Sequence, residues 1–231
     1  MFPKLRNYLF TLGFCGVFSF LFLSCSSISV KNSENPEIVY NEAVKLIDNE
    51  RFIEATELLN EIRLRFPQSR FFALADLKTG DLYFKQESYT EAAAAYSTFI
   101  DLYPNHPQAD YAFFQKIKSF YFDTPDIAAR DQGPALDAAR SAEQFLRRYP
   151  KSQYVNEAQT IRLKSLLKLA EKEAYIARFY ENRQKFESSL RRWKNILENF
   201  SELKDEPLAK DLYSEAKSKV EKFSQKTDSG V

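Results

Sequence analysis

A spacing of about 37 residues organises this chain. Gly80, Tyr83, Ala92, Tyr96, Phe99, Tyr103 and Pro104 stand about 37 residues after Ala43, Leu46, Ala55, Leu59, Ile62, Phe66 and Pro67. The turn sequence FPQS at Phe66–Ser69 returns as YPNH at Tyr103–His106 and as YPKS at Tyr149–Ser152. A unit of this size cannot bury its own apolar face, so it must stack on copies of itself. The chain is therefore expected to grow by repetition, not around one central core.

The offsets resemble the tetratricopeptide pattern G-x2-Y…A-x3-F…P, with Tyr96 in the place of Phe. In that pattern Gly80 lets helix A approach helix B, Ala92 receives the contact, Tyr83 and Tyr96 fill the space, and Pro104 ends helix B. The expected fold is an all-α tetratricopeptide (TPR) helical-repeat solenoid of about five helix-turn-helix units. Apolar spacing places helices over 37–48, 51–65, 71–85 and 88–102. Pro107 is expected to open the next helix, to Phe122. Residues 123–133 break the pattern as an inserted loop. Pro134 then starts a helix that Pro150 ends, a long helix runs from Gln153 to about Asn182, and another spans 184–199. A last helix from Pro207 to about Phe223 has the place of a cap. Residues 224–231 read as a frayed tail.

Lys4 and Arg6 precede an apolar run, Tyr8 to Leu23, that is short for a spanning helix and reads as a secretory signal. It ends in Phe22-Leu23-Ser24-Cys25, which resembles a bacterial lipobox with Phe22 where Leu is usual. The expectation is a signal peptide over 1–24, a lipidated Cys25 as membrane anchor, and a polar tether over 25–36. Ser26 in place of an inner-membrane retention residue favours the outer membrane, facing the periplasm. With Cys15 removed, Cys25 is the one cysteine left, so no disulfide is available.

The charges balance almost completely, 33 basic against 32 acidic over the whole chain, which argues against nucleic-acid binding. Their distribution is uneven. Residues 31–139 carry 11 Lys and Arg against 18 Asp and Glu, and residues 140–200 carry 14 against 7. Such asymmetry fits two different binding surfaces, and equally fits solvated helix faces. Arg191 and Arg192 flank the core-slot Trp193, and Arg178 takes a groove position; these three are the candidate partner-docking residues.

The residue types for chemistry are missing. No cluster has metal-ligand spacing, no nucleophile–base pair is suggested, and the few glycines make no phosphate loop. The single histidine, His106, sits in a turn, where capping a helix is the common role. No enzyme, no metal and no cofactor beyond the lipid on Cys25 is expected. Counting repeat positions puts Tyr40, Leu77, Phe84, Tyr111, Phe114 and Tyr121 on the concave face of the N-terminal repeats, with Asp81, Lys118 and Phe122. Aromatic anchors in a concave site suit an extended peptide with aromatic or apolar ends.

YPNHPQADYAFFQ (Tyr103–Gln115), ARDQGPALDAARSAEQFLRRYPKSQYVNEA (Ala129–Ala158) and LAEKEAYIARFY (Leu169–Tyr180) resemble the BamD family, lipoproteins of the outer-membrane β-barrel assembly (BAM) machinery. The likeness runs from about Ile38 to Phe223. It implies a non-enzymatic scaffold. Its N-terminal repeats, 37–122, would bind the targeting strand of unfolded outer-membrane β-barrel proteins. Its C-terminal repeats, 134–223, would dock the periplasmic POTRA region of the barrel subunit BamA, beside other BAM lipoproteins. The loop at 123–133 is shorter than in many members. The rival readings are another periplasmic TPR adaptor lipoprotein, such as a cell-division or polymer-export coordinator, and a cell-wall hydrolase.

Overall fold

Where the two helices of each repeat cross, a small residue meets a large one. The computed structural model describes residue 30 and residues 33–228, with side chains to residue 225. All regular structure among the described residues is helical: α1 (Pro36–Asp48), α2 (Phe52–Arg65), α3 (Arg70–Lys85), α4 (Tyr89–Leu102), α5 (Ala109–Phe122), α6 (Gly133–Arg148), α7 (Val155–Asn182), α8 (Phe186–Asn199) and α9 (Lys210–Asp228), with short 3-10 turns at Ser201–Leu203 and Pro207–Ala209. The crossing pairs are Ala43 and Leu59, Gly80 and Tyr96, Ile117 and Ala142, and Ala177 and Trp193, all buried. In the third pair the order is reversed, with the large residue on the first helix. The first three pairs have nearly the same summed volume, and Ala177 with Trp193 is the larger exception.

The chain divides into two compact units, one running to Phe72 and one from Ala73. In the first, α1 packs on α2. Asn35 caps α1 through a 2.9 Å bond from the Glu37 N–H, and Val39, Ala43, Ala55, Leu59 and Ile62 are fully buried.

In the second unit each helix packs on the next from α4 to α9, and α5 also touches α7. Two apolar cores result. One gathers Tyr96, Phe99, Phe113, Ile117 and Phe145; the other gathers Ala174, Ala177, Trp193, Ile196 and Tyr213. Helix α7 serves both, with Ala158 in the first and Ala170, Ala174 and Ala177 in the second. Its 28 residues contain neither Pro nor Gly, so it runs about 42 Å at about 1.5 Å per residue.

Three connections share one backbone device. Glu50, Glu87 and Gln184 have φ near 60°. At each, the next residue's N–H returns to the carbonyl five residues back: Arg51 to Leu46 at 2.8 Å, Ser88 to Tyr83 at 3.0 Å, Lys185 to Tyr180 at 3.0 Å. This Schellman closure satisfies the last carbonyls of the first helix and fixes the start of the second.

Four helix starts fall two or three residues later than the sequence reading, among them α8, which begins at Phe186, not Gln184, after the Lys185 N–H closes on the Tyr180 carbonyl. Helix α5 begins at Ala109, not Pro107, because the His106 Nδ1 accepts the Gln108 N–H at 3.1 Å and holds a turn there. Pro207 begins a 3-10 turn, and α9 starts at Lys210. The long helix begins at Val155, two residues later than expected, because the Ser152 Oγ caps the Tyr154 N–H at 3.3 Å. Cys25 and the anchor expected there lie outside the described residues.

Candidate functional site

Asp81 follows the glycine on which α4 rests, and that position makes it the polar centre of three helices. Its Oδ1 accepts the Tyr96 hydroxyl at 2.7 Å from α4 and the Tyr111 hydroxyl at 2.9 Å from α5, and its Oδ2 accepts Lys78 Nζ at 2.5 Å. Burial, and then the neighbouring carboxylate, raises both tyrosines above the ordinary phenol range. They act as fixed donors at neutral pH. Tyr103 bonds Asp76 at 2.9 Å in the same manner. The Tyr111 bond ties α3 to α5, the A helices of neighbouring repeats.

Along the α3 and α5 face from Asp81 lies a patch of aromatic rings. Phe84 of α3 meets Tyr89 at 5.4 Å and Phe122 at 5.8 Å, both edge-on. Tyr89 stacks on Phe122 at 5.5 Å, and Tyr121 meets Phe122 at 5.7 Å. Phe122 is 50% exposed, and Phe84, Tyr89 and Tyr121 are half-buried. The Lys118 ammonium lies 5.2 Å from the Phe84 centroid and 5.7 Å from that of Phe114. The patch therefore offers ring faces and edges to an apolar side chain, with one cation beside them.

The structure separates the predicted groove residues. Phe84 and Tyr121 stand in the patch. Tyr111 is half-buried and tied to Asp81. Leu77 and Phe114 are corrections: both are core, 3% and 2% exposed. Phe114 is covered because Tyr154, at the start of α7, stacks on it at 4.7 Å with planes 7° apart. Tyr40 belongs to the first unit, half-buried, its ring 5.4 Å from Phe71. Sequence reasoning passed over Tyr89. Its signal was the helix-start position just after the turn at Glu87, which sets it beside the end of α3.

In the second core Glu181 repeats the role of Asp81. Its Oε1 accepts Trp193 Nε1 at 2.7 Å, and its Oε2 accepts Lys219 Nζ at 2.5 Å, joining α7, α8 and α9. The three docking arginines surround this region unequally. Arg178 is paired with Glu215 through two bonds, 3.1 and 2.5 Å, and its guanidinium lies 5.6 Å from the Trp193 ring. Arg192 is a further correction, since it turns to Glu173 of α7 at 3.1 Å and its head is not free. Arg191 projects, 76% exposed, with a loose 3.8 Å contact to Glu187. Tyr175 and Phe179, one helical turn apart on α7, are also exposed, and Arg183 lies 4.4 Å from the Phe179 ring. Among the described residues no His, Cys, Asp and Glu group could hold a metal ion, and no helix is long and apolar enough to cross a membrane.

Residues 32–229 match the model of the YfiO family, described as outer membrane lipoprotein. The chain is similar to outer membrane protein assembly factors BamD of several bacteria. That of Caulobacter vibrioides is 29% identical over 165 residues, covering 70% of this chain and 53% of the relative. That of Neisseria gonorrhoeae is 28% identical over 173 residues, covering 71% and 65%. That of Vibrio cholerae is 25% identical over 191 residues, covering 79% of each. The chain thus spans between about half and two-thirds of the length of the first two relatives.

Proposed function

This chain belongs to the YfiO outer membrane lipoprotein family, and we propose that it is a non-enzymatic assembly factor for outer membrane proteins, as its relatives are named. The observation that carries the reading is the aromatic patch of Phe84, Tyr89, Tyr121 and Phe122 with Lys118 beside it. Such a patch suits an extended strand whose last side chain is aromatic. The ring packs on the exposed side of Phe122 and its neighbours, and the strand's terminal carboxylate faces Lys118. The half-exposed rings lose water on binding while the backbone beneath them stays fixed by the Asp81 node, so little ordering opposes the gain.

In this reading the repeats up to Phe122 take the targeting strand of an unfolded β-barrel protein. The repeats from 134 to 223 hold the periplasmic POTRA region of the barrel subunit, with Arg191 as an exposed charge on that face. Cys25 carries the lipid that holds the chain at the periplasmic face of the outer membrane, among the other lipoproteins of the machinery. Several acyl chains at about 0.8 kcal/mol per buried CH2 anchor it firmly.

A labelled peptide of alternating apolar residues ending in Phe tests the site, offered once with a free carboxylate and once amidated. Saturable binding that is stronger for the free acid supports the reading. Equal affinity for a peptide with every aromatic changed to Ser contradicts it.

A further inference from the structure

The three repeat-ending turns share one backbone and one cap. In each, an N–H returns to the aromatic residue's carbonyl: Ser69 to Phe66 at 3.0 Å, His106 to Tyr103 at 3.1 Å, Ser152 to Tyr149 at 3.1 Å. In each, the same side chain then accepts an N–H two residues on. Ser69 Oγ takes Phe71 at 3.2 Å, His106 Nδ1 takes Gln108 at 3.1 Å, and Ser152 Oγ takes Tyr154 at 3.3 Å. A serine would therefore serve the second turn as it serves the other two. Histidine adds a ring, which lies edge-on to the buried Phe99 at 5.2 Å, and a second ring nitrogen. With Nδ1 accepting, the neutral ring carries its proton on Nε2, and that N–H is left to donate.

His106 lines an open cavity of about 510 Å3 between the second and third turns, together with Arg148 and Lys151. Among the described residues neither cation forms an ion pair. Arg148 reaches only the Pro104 carbonyl, at 3.5 Å, and the Tyr149 ring, at 5.3 Å. The one carboxylate in the wall, Asp110, is already engaged at both oxygens, by the Ser152 hydroxyl at 2.7 Å and the Tyr111 N–H at 2.8 Å. Pro104, Pro107 and Pro150 form further wall and bring no N–H. Three wall side chains, His106, Arg148 and Lys151, are donors for anions. The donors come from two successive turns, which suits a chain bearing several carboxylates.

We propose that this trough binds an acidic peptide segment of a partner protein, with one carboxylate on the His106 Nε2–H and others on Arg148 and Lys151. The site is separate from the aromatic patch and from Arg191. Burial lowers the His106 pKa in the free protein. A carboxylate at Nε2 favours the charged ring, so the bound peptide raises it again.

His106 is the single histidine of the chain, so its ring Cε1–H gives one NMR signal in full-length protein free of a polyhistidine tag. The probe is the capped hexapeptide Gly-Glu-Asp-Glu-Asp-Gly, against Gly-Gln-Asn-Gln-Asn-Gly. The acidic peptide is expected to move the signal and raise its titration midpoint. The double change Arg148→Glu with Lys151→Glu, on exposed side chains, is expected to weaken binding at least about tenfold. His106→Ser, which keeps the cap, is expected to weaken it about threefold or more. The proposal is overturned if the amide peptide shifts the signal equally. It is also overturned if the double variant binds the acidic peptide as before, or if inorganic phosphate at the same concentration acts as well as the peptide, which would mark a small-anion site.

Discussion

A methyl group placed on Gly80 would stand 2.6 Å from Cε1 of Tyr96. The ring is fully buried and its hydroxyl is fixed on Asp81, so it cannot swing aside. Gly80→Ala is expected to lower stability by about 1–2 kcal/mol. Overpacking costs about 1–3 kcal/mol, and the better helix propensity of Ala returns up to about 1 kcal/mol. Adding Tyr96→Leu copies the Ala43 and Leu59 pair of the first repeat. The double variant should then be more stable than the sum of the two single changes, as measured by urea melts in a double-mutant cycle.

The same ring sets a pH dependence. The folded-state pKa of Tyr96 is raised by burial and by Asp81. Above the ordinary phenol value of about 10, the unfolded chain loses this proton while the folded chain keeps it. Stability contributed here is complete below that pH and falls as pH rises further. Melts from pH 9 to 11 should show this fall, and Tyr96→Phe should reduce it, leaving the slope due to Tyr111, Tyr89 and Tyr213.

Phe122 and Phe114 are two residues of one helix with opposite expected roles. Phe122→Ala removes ring contacts with Phe84, Tyr89 and Tyr121 and should cost about 0.5–1.5 kcal/mol of stability, while it weakens binding of an aromatic-ended peptide by about 1–2 kcal/mol. Phe114→Ala should instead cost about 3–5 kcal/mol of stability, because it empties the space beneath Tyr154. Denaturant melts paired with fluorescence titrations separate the two.

Arg191→Glu should alter stability by less than about 0.5 kcal/mol, as an exposed residue does. It should slow association with the barrel subunit's periplasmic domain at low salt and leave dissociation nearly unchanged. Arg178→Glu breaks a surface pair with Glu215, which costs at most about 1 kcal/mol. Stopped-flow association at two salt concentrations checks both variants.

What could be read from the sequence was what repeats. Ala43, Ala55, Ala92, Ser189 and Trp193 fall in core slots because packing at each crossing sets a small residue against a large one at a fixed offset. The solenoid register was legible for the same reason. The surface was less so. Counting positions put Leu77 and Phe114 on the groove, yet position alone does not tell that Tyr154, forty residues on, covers Phe114. Arg192 looked outward beside Trp193, and only the folded α7 brings Glu173 to it. His106 read as a helix cap; its Nδ1 instead accepts the Gln108 N–H within the turn that precedes α5. That His106 shares one wall with Arg148 and Lys151 was not legible, because one repeat of stacking brings the third turn alongside the second.

Depleting the protein from its own bacterium and quantifying the outer-membrane proteome tests the central claim most directly. The account predicts that β-barrel proteins fall together in the outer membrane while other lipoproteins there hold their level. It also predicts that a copy carrying Phe84→Ala and Phe122→Ala, though folded, restores the barrels poorly. Barrel proteins that stay at their normal level after depletion would contradict the account.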